Sequence, residues 1–535
     1  MKASGVEFTE GQQAFPTLPD KDFDIAVPVF AKKGRSFAPI TKNGAKQAIE
    51  EFGKPDPRYS STMYSALGAA HTGRRVHFVR VHKGATIAAL NLNISTAGAA
   101  TSTAAAIAES VAGIADTAVF GVDTDRCLVV RARSAGAHGT DLKITVDQID
   151  ATGKTFRILV LQNDVQVEAW AGISRQPEAL DAAGKSIYIL NVINTLSKHI
   201  FVYDNAAIDK DVMPKATTVA TVLSAAADSA ALVGSDWADM FTVLQKAGTS
   251  KYQPLAHLIL GGSLATAGNY AFEAAMATFC RDYNSFGIIG IPQSIEISND
   301  INDLIAHRTA LGTSGGLVGD LGSYVGLHSS WLYGLDPWNG DQRALMSIDG
   351  GVAQVHARSH AINPWKIPTG ANRGQIRMLE PLRRFDAADH ELLAANDINY
   401  YLPTTTHGTI LWEQRTLYGN EAARTSRQHV RKLYNYLKRI MYDSLLTQAF
   451  EEVTQDELDD FADDTRRVLR GIKSEGGIRF FDVEADIGGN NTNESLANRE
   501  FRVDAYIDAG RGAEHLKFGI ISTDFGLRFD EENFS

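Results

Sequence analysis

Asn363-Pro364-Trp365-Lys366-Ile367-Pro368-Thr369-Gly370 is the stretch on which the reading of this chain turns, a proline-bracketed turn that opens its last third. Downstream, Val430, Leu433, Leu437, Ile440, Met441 and Leu445 recur at helical intervals between residues 424 and 448. Arg427, Arg431, Lys432, Lys438 and Arg439 fall mostly elsewhere, so one face is expected to be core and the rest a basic surface. Thr454 and Glu457 have capping-box spacing and announce a second helix, with Leu458, Phe461, Val468, Leu469 and Ile472 as its apolar stripe. After Gly476-Gly477, Phe481, Val483 and Ala485, then Phe501, Val503, Ala505 and Ile507, alternate with polar residues as half-buried strands do. Leu516, Phe518 and Ile520 repeat that period before an acidic tail, residues 530–535. The outcome is an α+β module with arms, a part that assembles.

Length and charge bound the rest. A chain of 535 residues is expected to split into about three or four domains. A net charge of -11 argues against a general nucleic-acid binder, which needs a basic surplus to displace counterions from phosphate. Cys127 and Cys280 stand far apart without a CxxC pair, which supports neither a disulfide framework nor a zinc ribbon and fits a reducing compartment. No signal-peptide core and no apolar run of about 18 residues is found, so folding in cytosol is expected.

Residues 1–24, with Phe8 and Phe15 isolated among polar neighbours, read as an extended arm. Strands are expected over 25–30 and 75–81, and helices over 42–52 and 60–70. Residues 83–185 change composition and turn β-rich, as an inserted domain would. Residues 186–335 alternate strand and helix, with short buried strands at 200–203, 255–260 and 286–291, which predicts an α/β layer. The expected fold class is multidomain α+β and α/β: arm 1–24, middle α/β domain in two parts (25–82 and 186–360), inserted domain 83–185 and C-terminal domain 361–535.

Catalytic patterns are weak by comparison. Gly312-Thr313-Ser314-Gly315-Gly316 satisfies GxSxG, yet a helix precedes it where a hydrolase elbow needs a strand. Gly184-Lys185-Ser186 lacks the first glycine of a P-loop, because residue 179 is alanine. His356 and His360 have zinc-helix spacing without the glutamate base, and residues 351–355 read as a strand that would hold the imidazoles roughly 13 Å apart. No catalytic, cofactor or metal site is assigned.

The order of several segments is similar to that of one family. Gly34-Arg35-Ser36-Phe37-Ala38-Pro39, the helix end Phe52-Gly53 and Val76-His77-Phe78-Val79-Arg80-Val81 resemble the opening of contractile tail sheath proteins of tailed bacteriophages. Ala135-Gly136-Ala137-His138-Gly139-Thr140-Asp141-Leu142 resembles the small-residue turn of that family's inserted domain. Val355-His356-Ala357-Arg358-Ser359-His360 with the 363–370 turn resembles its Ala-Arg-x-Asp and Trp-Lys-Ala-Pro-Ala-Gly segments. Leu411-Trp412-Glu413-Gln414-Arg415-Thr416-Leu417 is similar to Val-Trp-Gly-x-Arg-Thr-Leu, His429-Val430-Arg431-Lys432-Leu433 to Val-Arg-Arg-Leu, and Asn490-Asn491-Thr492 to an Asn-Thr pair. Leu393 to Asn399 is similar to its Leu-Asn…Ile-Asn step. Glu413 and His360 depart from the family pattern, and 83–185 resembles it least.

The resemblance implies a structural, non-enzymatic subunit without cofactors, stacked in rings around a tail tube and contracting to drive that tube through the host envelope. Its implied partners are itself, the tube protein, and baseplate and tail terminator proteins, with no direct nucleic-acid contact and no membrane insertion. The implied location is the virion, after assembly in host cytoplasm. Phe8, Phe15, Leu516, Phe518 and Ile520 then belong to arms that add strands to a neighbour's sheet. Arg427, Arg431, Lys432, Lys438, Asp459, Asp460 and Asp463 become candidate tube- or neighbour-facing charges. The alternatives are the sheath of a phage-derived injection particle and a hydrolase using Ser314.

Overall fold

The structure is a computed structural model that describes residues 23–512 except 57–60, 95–98, 115–124, 225, 249–252, 263, 265–268, 330, 449–453, 493 and 495–501. The chain divides into two units at 452/453. The large unit is built on a seven-stranded sheet in the spatial order Pro39–Lys42, Val76–Arg80, Ile25–Val29, Leu258–Leu260, Phe286–Gly290, Val325–His328, Ile398–Asn399. Every adjacent pair is parallel except the first. These strands read as short continuous apolar runs because both faces are covered. Ile25, Val27 and Val29 pack with the helices Ala45–Phe52, Thr62–Ala70 and Asp349–Ile362, while Ala26 and Val79 pack with Ala271–Asp282 and Ile301–Thr313. The helix over 45–52 ends as expected at Gly53, whose φ of 88° suits glycine.

Two elements fall elsewhere than the sequence pattern suggested. Residues 351–355 are not a strand: they lie in the helix Asp349–Ile362. Gly350 and Gly351 weaken the helical signal, but packing favours glycine at 350, since a Cβ there would stand 3.0 Å from Ser65 O and 3.2 Å from the Gly68 Cα. Ile200–Asp204 is not part of the α/β layer; it pairs antiparallel with Arg126–Ala132. A short apolar run does not by itself tell a parallel-sheet strand from an antiparallel one.

The β-rich part therefore reaches past 185. Ala89–Asn93, Arg126–Ala132, Ile200–Asp204 and Thr101–Thr103 form one antiparallel sheet, and Leu142–Asp150, Thr155–Gln162, Val165–Ile173 and Thr221–Val222 form another. Asn163 and Asp164, both at positive φ, make the two-residue turn between Thr155–Gln162 and Val165–Ile173, the conformation that matches strand twist. A single apolar cluster from Ala85 to Leu223 fills this part. At the other boundary, Ile398–Asn399 extends the seven-stranded sheet, so residues shortly after 361 share the large unit's core.

Arg80 joins the β-rich part to the sheet. Its Nε donates to Ala31 O (2.8 Å), Nη1 to Gly34 O and Ser36 Oγ (both 2.8 Å), and Nη2 to Ala135 O (2.8 Å) and Lys32 O (3.4 Å). All five guanidinium donors are used without a carboxylate, and burial lowers its pKa to about 10.

The small unit consists of the helix Gln455–Ser474 and the antiparallel pair Ile478–Glu484 and Asp504–Ala509. Glu457 N donates to Thr454 Oγ1 (3.3 Å) and Thr454 N to Glu457 Oε2 (3.0 Å), the expected reciprocal cap. Replacing Thr454 by alanine should cost about 1 kcal/mol locally, read as faster amide exchange over the first helical turn; unchanged exchange would show that the cap contributes nothing.

Candidate assembly interface

The small unit's surface follows from its amphipathic parts. Leu458, Phe461, Ala462, Leu469 and Ile472 are buried on the helix, and Ile478, Val483, Ala485 and Ala509 are buried in the strand region. Val468 is half-buried. The sheet has two strands only, with Phe481 opposite Ile507 and Val483 opposite Ala505. Among the described residues the sheet holds no third strand, and two strands alone are a marginal layer. Phe480 is 63 % exposed and Tyr506 57 %, two aromatics on a face shared with Asp482, Glu484, Asp504 and Asp508. Lys473 Nζ lies 5.5 Å from the Phe480 ring centroid and the Arg479 guanidinium 5.9 Å, cations that shield this aromatic.

Asp459, Asp460 and Asp463 are exposed on the helix. Asp463 accepts from Arg466 Nη1 (2.8 Å) and Asp459 from Gln455 Nε2 (2.8 Å), surface contacts that contribute little to stability and leave an acidic face.

The basic helix, observed as Gln428–Gln448 behind a short 3-10 turn at Arg424–Ser426, corrects the expected basic surface. Arg431 and Lys432 are buried, 4 % and 7 % exposed, and do not face outward. Val430, Leu433, Tyr436, Leu437 and Ile440 are buried with them, so the helix is enclosed over much more than one stripe. Its polar groups find partners inside: Asn435 Nδ2 donates to Ser285 O (2.8 Å), Arg439 Nη1 to Asn284 O (3.0 Å), and Arg431 Nη2 to Asp320 Oδ1 (2.9 Å) with its guanidinium 4.1 Å from the Tyr324 centroid. Lys432 Nζ lies 3.4 Å from His356 Nδ1, and burial, reinforced by Arg439, pulls its pKa down to about 7. Arg427 bonds Glu421 (3.1 Å), and Lys438 stays exposed beside the Tyr324 hydroxyl. Phe8, Phe15, Leu516, Phe518 and Ile520 lie outside the described residues.

The remaining candidates resolve structurally. Ser314 is the exposed C-cap of the helix Ile301–Thr313, its amide donating to Ala310 O (2.8 Å), so there is no strand-to-helix elbow. His356 and His360 are one helical turn apart and buried, and burial lowers both pKa values. Among the described residues no group of three or more His, Cys, Asp or Glu could hold a metal ion, and no helix is long and apolar enough to cross a membrane. Sequence reasoning missed Arg80 and Arg175, whose roles depend on partners remote in sequence. The one available signal was an arginine flanked by valines in Val79-Arg80-Val81.

No family model matches the chain. It is 27 % identical over 247 residues to the tail sheath protein of Enterobacteria phage T4, a match covering 46 % of this chain and 36 % of the T4 protein. It is 25 % identical over 298 residues to the tail sheath protein of Vibrio phage KVP40, covering 51 % and 44 %. The match thus spans less than half of either relative's length. Among solved structures, the sheath tail protein from Listeria innocua aligns with a TM-score of 0.55 at 10 % identity over 88 % of this chain and 89 % of that one. The helical sheath of the anti-feeding prophage in its contracted state aligns at 0.51 and 10 % identity over 98 % of this chain and 100 % of that one. The chain has the tail-sheath fold.

Proposed function

We propose that this chain is the subunit of a contractile bacteriophage tail sheath, which polymerises around a tail tube and contracts to drive the tube through the host envelope. One observation carries the reading: the chain shares its fold, over 98 % of its length, with a helical sheath in its contracted state. The small unit's two strands are marginal on their own, and a third from another copy would complete the layer. The segments around Phe8 and Phe15 and around Leu516, Phe518 and Ile520 are the strands we assign to that role. Backbone hydrogen bonds supply sequence-tolerant affinity, against roughly 1 to 2 kcal/mol per residue in ordering entropy. Lys438, Asp459, Asp460 and Asp463, and Arg427 at its half-buried site, are the charges left to face the tube or a neighbour.

Partners under this reading are further copies of the chain, the tube protein, and baseplate and tail terminator proteins. Assembly takes place in the host cytoplasm and the product is a virion component. Contraction is a rigid-body change between two interfaces and uses no nucleotide. A second reading, the sheath of a phage-derived injection particle, is favoured by the fold shared with the anti-feeding prophage sheath; purified particles carrying DNA would exclude it.

Deleting residues 1–20, or everything from Leu516 onward, should abolish tubes in negative-stain micrographs while leaving a folded monomer. Normal tube formation after either truncation would refute the arm mechanism.

A further inference from the structure

Inside the large unit, Phe23, His257, His360, Lys432, Asn435 and Arg439 line a small cavity of about 10 Å3, room for a single water-sized body. Lys432, Asn435 and Arg439 stand at i, i+3 and i+7 of the helix Gln428–Gln448, so they share one face of it. His360 comes from the helix Asp349–Ile362, and Phe23 and His257 from the segments that lead into Ile25–Val29 and Leu258–Leu260. Basic groups converge here from three directions.

No acid answers them. The Lys432 ammonium has His356 Nδ1 at 3.4 Å and the Phe23 ring centroid at 5.7 Å, and Arg439 donates to Asn284 O (3.0 Å). Among the described residues neither cation pairs with a carboxylate. Asp24, whose charge acts on His257, is engaged by Arg75 Nε at 2.9 Å and lies 3.8 Å from His77. The Asp24 amide donates to His257 Nδ1 (3.2 Å), which puts that ring's proton on Nε2 and keeps Nε2 a donor. His360 Nδ1 and Asn435 Oδ1 are buried without a hydrogen-bond partner. Burying cations without a counter-charge is strongly unfavourable. Deprotonating Lys432 relieves only part of this, because Arg439, half-buried, keeps its charge at neutral pH even with its pKa lowered to about 10 by burial.

We propose that this cavity binds one small monovalent anion of halide size, held between the Lys432 ammonium and the Arg439 guanidinium and tying the helix Gln428–Gln448 to the segments at Phe23 and His257. The volume is too small for a tetrahedral oxyanion. Water is the competing occupant, since it would donate to Asn435 Oδ1 as well as accept from Lys432.

The test uses the full chain at constant ionic strength. It should melt about 1 to 2 °C higher in sodium chloride or bromide than in sodium gluconate, with a saturating dependence on halide concentration. Equal melting in the three salts overturns the proposal, and so does a halide effect retained in Lys432→Met. The occupant also links to a proton: apparent halide affinity should fall about tenfold per pH unit above about 7, where Lys432 discharges while His257, His356 and His360, all lowered by burial, are already neutral. Affinity that is flat between pH 7 and 9 overturns the proposal. Chloride NMR line broadening by the wild-type chain, reversed by added bromide, reads occupancy without any variant; no displaceable broadening means water alone and overturns it.

Discussion

Replacing Asp204 by alanine is expected to destabilise the protein by about 3 to 5 kcal/mol, because it strands a buried guanidinium without its counter-charge. Arg175 and Asp204 are both fully buried as side chains, with Nη2 and Oδ1 2.7 Å apart. Arg175 also donates from Nη1 to Asp209 O (3.0 Å) and Val212 O (2.5 Å), and from Nη2 to Asn205 O (3.3 Å), so one side chain stitches down the loop after Ile200–Asp204. Lys210 Nζ donates to the second carboxylate oxygen (2.7 Å). Asp204→Asn keeps part of this hydrogen bonding and should cost less. Denaturant unfolding measures both, and a loss below about 1 kcal/mol for the alanine variant would mean that water reaches the site.

Acid is expected to unfold the isolated subunit steeply. Burial holds His328 at about 3 and His307 at about 4, and burial with help from Lys432 also lowers His356 and His360. Each has a folded pKa below its unfolded value near 6.5, so the unfolded chain binds more protons as pH falls from 6.5 towards 4, and stability drops over that window. Four such groups give on the order of 5 kcal/mol per pH unit. Glu273, raised to about 7 by burial, opposes this with one proton between about 4.5 and 7. Ordinary domain stabilities of about 5 to 15 kcal/mol would be exhausted within two or three pH units. Unfolding free energies at pH 7, 6 and 5 check the slope, and His328→Asn should reduce it by about one proton; a flat profile would show that these imidazoles are already hydrated.

The sequence pattern revealed what local physics dictates. Continuous apolar runs such as Phe286–Gly290 were legible as buried strands, and Thr454 with Glu457 as a helix start, because period and cap chemistry are written in neighbouring residues. The α/β and α+β class was legible for the same reason. The error over residues 351–355 came from a tertiary demand: only the crossing with Thr62–Ala70 explains why Gly350 belongs in a helix. Charge normally signals solvent, whereas here Asp320 and Tyr324 receive the Arg431 guanidinium and His356 stands beside the Lys432 amine, all supplied by distant segments. The strands of the small unit could be sensed from alternation but not their pairing, since pairing is a property of the whole fold.

Arg80 has a consequence for how the β-rich part can vary. Four of its five bonds end on main-chain oxygens, including that of Ala135. Those bonds read main chain, so the clamp itself asks for no particular side chain at Ala135, its one partner in the β-rich part. The outer surface carried by residues 85–223 can therefore be rewritten by substitution while its seat on the seven-stranded sheet stays the same.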